Sequence, residues 1–79
     1  MQVSVKLFGT LSQQLPDYDP LEGIHVEIPD GAIVKDLLAH LGFTKSDVAI
    51  VGLAGQIIRD DSQLRDGVCV NLFNRMAGG

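Results

Sequence analysis

Val3, Val5 and Leu7 alternate with Ser4 and Lys6, the two-residue period of a strand that buries one face. Gly9 closes that strand. Thr10 and Gln13 have the spacing of a capping box, so one helical turn is expected over residues 11–15, stopped by Pro16. Pro16, Asp17, Asp19 and Pro20 carry no periodicity and read as a loop. Ile24, Val26 and Ile28 alternate with His25 and Glu27 in a second strand, near enough to the first to pair with it as an antiparallel hairpin with a long loop.

The period then changes. Pro29-Asp30-Gly31 makes a turn, and Ile33, Val34, Leu37, Leu38 and Leu41 follow at helical spacing as far as Gly42, a residue suited to the position just past a helix end. No other substantial helix is written in the pattern, so its apolar stripe must be covered by the sheet. Val48, Ile50 and Leu53 begin a third strand in which Gly52 blurs the alternation. Ala54-Gly55 turns into a short strand over residues 56–59, a polar stretch leads to Leu64, and Asp66-Gly67 turns the chain into a last strand over residues 68–73.

A hairpin, a crossover helix and a last strand that returns parallel beside the first satisfy the right-handed connection rule, with the helix on one face. This order describes an α+β chain with the β-grasp (ubiquitin-like) roll: a mixed sheet of four to five strands and one main helix, over residues 1–73, followed by a flexible tail over residues 74–79. Periodicity alone leaves other α+β arrangements of the same element order open.

Composition narrows the partners. A chain of 79 residues holds one small core and room for one site at most. Its net charge of −4 argues against nucleic acid and anionic membrane surfaces and suits a basic partner pocket. Met1 to Leu7 alternates where a signal peptide would be apolar, and no apolar run reaches membrane-spanning length, so a cytoplasmic location is expected. The single cysteine, Cys69, excludes an internal disulfide and a cysteine-ligated zinc or iron–sulfur site; no metal is expected.

The sequence closes on Asn74-Arg75-Met76-Ala77-Gly78-Gly79. Two glycines contribute nothing to a core, but read as a carboxy terminus they can thread a passage too narrow for a Cβ.

Val5-Lys6-Leu7-Phe8-Gly9, Pro29-Asp30-Gly31-Ala32 leading to Asp36-Leu37-Leu38, Leu53-Ala54-Gly55, Leu64-Arg65-Asp66-Gly67 and Ala77-Gly78-Gly79 together resemble the MoaD/ThiS family of sulfur carrier proteins, in order and in spacing, over nearly the whole chain. Phe8-Gly9 and Met76-Ala77 resemble the MoaD branch, the small subunit of molybdopterin synthase. The chain departs from the family pattern at Ile33, where a threonine often caps the helix, at Ala54 in place of the common asparagine of an Asn-Gly turn, and at Val68 in place of the second Asp of Asp-Gly-Asp. At Asn74-Arg75 MoaD commonly has Pro-Pro. Ile33 offers no oxygen and should cost about 1 kcal/mol unless Asp30 or Asp36 substitutes.

The resemblance implies that a ubiquitin-activating-type enzyme uses ATP to adenylate the Gly79 carboxylate, that sulfur then displaces AMP, and that the resulting thiocarboxylate donates its sulfur to an acceptor. It implies two partners, the adenylating enzyme and a synthase large subunit or other sulfur-acceptor enzyme, and no cofactor bound by the carrier. Gly79 and Gly78 would carry the chemistry, with Met76 and Ala77 contacting the partner alongside them; Arg75, where the chain departs from the family, could pair with acidic partner residues. Six extended residues reach roughly 20 Å, enough to enter a buried site.

On the last strand Val68, Val70 and Leu72 point one way and Cys69, Asn71 and Phe73 the other. If the first set meets the helix, Phe73 stands on the open face at the root of the tail. Phe8 at the end of the parallel strand and Ile57 on the short one would then extend an apolar anchor for both partners. The competing reading folds Phe8 under the loop and puts Ile57 in a small second core. Cys69, His25, His40 and the Asp60-Asp61 pair read as ordinary strand, surface and loop residues. No nucleophile–base or metal constellation can be assembled, so a self-contained enzyme is the weakest reading. The alternatives to a carrier of molybdopterin synthesis are a ubiquitin-like modifier that passes its Gly79 carbonyl to a lysine, a carrier for thiamine or another sulfur metabolite, and a plain binding module with an idle tail.

Overall fold

The computed structural model describes residues 1–15, 17–44 and 46–74. Among these, five strands form one mixed sheet: β1 (Gln2–Phe8), β2 (Ile24–Glu27), β3 (Val48–Leu53), β4 (Gln56–Ile58) and β5 (Cys69–Asn74). Helix α1 (Val34–Leu41) joins β2 to β3, and a 3-10 helix, Gly9–Gln14, follows β1. The strand order β2-β1-β5-β3-β4 puts β5 at the centre, parallel to β1 and antiparallel to β3. This is the β-grasp roll expected from the element order.

The alternation read from sequence is the alternation of burial. Val3, Val5 and Leu7 of β1 and Val70 and Leu72 of β5 point to one side, where they form a single buried cluster with Val34, Leu37 and Leu38 of α1. Each such side chain is worth about 1.5–3 kcal/mol when fully buried, and together they fix β5 against the helix. Gly42 adopts the left-handed conformation just past α1 at φ 84°, and Phe43 N–H donates to Leu38 O at 2.9 Å, ending the helix where the pattern predicts.

One local expectation is met and two are corrected. Ile33 stands at the capping position just before α1, with extended backbone and a bridge to Gln63. Its lack of a capping oxygen is made good by neighbours. Ile33 N–H donates to Asp36 Oδ2 at 3.0 Å, while Val34 and Lys35 N–H donate to the carbonyls of Ser62 and Asp60 at 3.0 and 2.8 Å. The first helical N–H groups therefore all find acceptors without a threonine. The Thr10–Gln13 capping box does not form: the chain enters a 3-10 helix directly at Gly9, no side chain caps it, and the Thr10 hydroxyl is taken by Asn74. Pro16, expected to stop that turn, lies outside the described residues. Finally, β5 includes Asn74, which the sequence assigned to the tail.

Candidate functional site

Since β5 alternates and Val70 and Leu72 are buried, Phe73 must stand on the face away from α1. Register then brings Phe8 beside it, as the last residue pair of the parallel β1–β5 ladder. The two rings stack with centroids 4.7 Å apart and planes 14° from parallel. Both remain more than a third exposed, Phe8 at 41% and Phe73 at 37%, so Phe8 is not folded under the loop.

On the other side of Phe73 lies Ile50, its register partner in β3. A break in the β3–β5 ladder between Val48 and Ile50 resets the alternation, so that Val48 and Val51 are buried while Ile50 is exposed. Ile57 on β4 is 76% exposed and belongs to no second core. Ile50, Ile57 and Phe73, with Gly52, Gln56 and Asn71, surround an open hollow of about 330 Å³ that no ionisable side chain lines. The ring of Phe73 approaches Gly52 so that a Cβ there would sit 3.6 Å from Phe73 Cε2, an ordinary contact. Phe8, Phe73, Ile50 and Ile57 thus make one band across the open face, at the end of the sheet where β5 stops. Sequence reading placed three of the four there. Ile50 was missed because its orientation depends on the ladder break, and the only sign in the sequence is the irregular alternation around Gly52.

Arg75, Met76, Ala77, Gly78 and Gly79 lie outside the described residues. The residue before them is held firmly: Asn74 Nδ2 donates to Thr10 Oγ1 at 2.7 Å. The remaining reactive groups do not converge. Cys69 is exposed on the open face, His25 Nδ1 lies 3.3 Å from Ser4 Oγ, and His40 is exposed on α1. Asp61 is exposed, and the Asp60 backbone carbonyl is engaged by α1. Among the described residues no three His, Cys, Asp or Glu side chains gather in a way that could hold a metal ion, and no helix is long and apolar enough to cross a membrane.

The sequence model of the ThiS family matches residues 5–79, a span that takes in the Gly78-Gly79 pair. No curated protein matches the chain. Among solved structures, the chain is similar to SAMP1 from Haloferax volcanii, with TM-score 0.76 and 19% identity over 100% of both chains. It is also similar to a protein assigned as subunit 1 of molybdopterin converting factor from Pyrococcus furiosus, with TM-score 0.73 and 25% identity over 96% of this chain and 99% of that one. The first likeness is one of fold.

Proposed function

The chain belongs to the ThiS family, and from that membership and the apolar band at the end of β5 we propose that it is a sulfur carrier of molybdopterin biosynthesis, acting as the small subunit of a synthase. The observation that supports this reading is the coincidence of an exposed, uncharged apolar band with the strand end from which Gly78 and Gly79 continue in the sequence. The likeness to the Pyrococcus furiosus converting-factor subunit supports the molybdopterin branch.

The chemistry follows from the carboxylate. A carboxylate is a poor electrophile, so one Gly79 oxygen attacks the α-phosphorus of ATP on a ubiquitin-activating-type partner, releasing pyrophosphate and leaving an acyl-adenylate. The terminal sulfur of a persulfide then attacks the carbonyl carbon and AMP departs with its electron pair. A thiol reduces the resulting acyl disulfide, freeing the thiocarboxylate and a disulfide. The terminal sulfur is a soft nucleophile uncrowded by any side chain, and the large subunit supplies the catalytic groups for its transfer. The carrier brings reagent and reach.

The acceptor is tested by supplying the thiocarboxylated protein to a molybdopterin synthase large subunit with the sulfur-free pterin precursor. Sulfur appearing in the pterin, with Gly79 returned to a carboxylate, supports the reading. Transfer to a thiazole precursor instead would assign the chain to thiamine synthesis, and an isopeptide to lysine would make it a modifier.

A further inference from the structure

The grip on Asn74 has a construction that docking does not require. The β1–β5 ladder ends at Phe8–Phe73, because the chain leaves β1 at Gly9 and winds into the 3-10 helix. Asn74 is the register partner of Val48 in β3. Its side chain is held as well: the Thr10 hydroxyl accepts from Asn74 Nδ2 at 2.7 Å, across 64 residues of sequence. Gly9 makes the approach possible. Its φ of +68° is one that side chains resist, and a methyl on it would overlap Asn74 Oδ1. The alternation of β5 divides the labour: Phe73 stacks on Phe8 on the open face, and Asn74 is held on the opposite one.

We propose that Gly9, Thr10 and Asn74 form a positioning clamp that sets the direction in which the chain leaves the sheet toward Gly79, aligning the carboxylate with ATP in the activating enzyme. The clamp rests on the sulfur-carrier reading and adds a positioning role to it; none of its residues touches the reacting atoms. Its physical basis is positional: Asn74 is the last of the described residues in register with the sheet, and a misplacement of about 1 Å can cost a reaction a hundredfold. Docking depends on the aromatic band and belongs to KM, whereas tail alignment belongs to kcat.

The test is ATP–pyrophosphate exchange by the host's ubiquitin-activating-type enzyme, with the full-length carrier as varied substrate. Thr10 is exposed, so Thr10→Val removes the acceptor without disturbing the core. It should lower kcat about 3- to 10-fold, the worth of one hydrogen bond, with KM unchanged. Thr10→Ser, which keeps the oxygen, should restore kcat. Thr10→Val combined with Asn74→Ala should be no slower than Asn74→Ala alone, since both remove the same bond. Wild-type kcat in Thr10→Val, a loss confined to KM, or no rescue by serine would overturn the clamp while leaving the carrier intact. Absence of exchange with the wild-type protein would overturn the carrier reading and the clamp with it.

Discussion

Phe8 and Phe73 end adjacent parallel strands as register partners and stack at 4.7 Å, yet both keep more than a third of their surface in water. A stacked pair contributes about 0.5–1.5 kcal/mol beyond its buried area, so the pair is stable as a platform while still offering a face. Phe73→Ala is expected to weaken binding of the activating enzyme by about 10- to 100-fold, in the range of an aromatic hot spot, while the melting temperature falls by less than it does for a fully buried neighbour such as Leu72→Ala. Titration calorimetry and a thermal melt on the same sample check both. A melting loss as large as that of a core truncation, with binding unchanged, would make Phe73 a structural residue.

Ile57 tests the same surface without the stack. It is 76% exposed, so Ile57→Ser should leave stability within about 0.5 kcal/mol and still weaken partner binding. Ile50→Ser should do likewise if the band extends across β3. Unaltered affinity in both variants would confine the docking surface to the two rings.

The order of strands and the helix were legible because each has an unbroken period with one buried face, as in Val3, Val5 and Leu7 or Val34, Leu37 and Leu38. Position within an element was less so. Ile33 carries the helical spacing but bridges to Gln63, since the 60–62 turn supplies acceptors to the helix start and draws the preceding residue into extended backbone. Ile50 is turned outward by a ladder break that no residue type announces. Phe8 and Phe73 could be placed from strand parity, but the Thr10–Asn74 bond joins residues 64 apart and has no periodic signature.

The Ala54-Gly55 turn holds a second departure from sequence norms. Ala54 sits at φ 53°, a left-handed conformation costing an alanine about 1–2 kcal/mol. Asparagine tolerates it and suits the first position of such a hairpin turn. Ala54→Asn should raise stability by about 1 kcal/mol, seen as a rise of about 4–8 °C in melting temperature. No rise would mean that the turn is relaxed at alanine.

Asp36 accepts from the Ile33 N–H at the start of α1, the half of a capping box that needs no oxygen on Ile33. Asp36→Ala leaves Ile33 N–H without its 3.0 Å acceptor and should cost about 1 kcal/mol, measured by urea unfolding. Asp36→Asn, which keeps an oxygen within reach of that N–H, should lose less than Asp36→Ala.

A sulfur carrier of this kind would hold its activated sulfur at Gly79. The direct measurement is the intact mass of the protein after incubation with ATP, the host's activating enzyme and a persulfide donor with thiol, followed by fragmentation to locate any change. The expected product is heavier by one oxygen-to-sulfur exchange, confined to Gly79, absent without ATP and strongly reduced in Gly79→Ala. A carboxylate left unchanged at Gly79 under these conditions would contradict it.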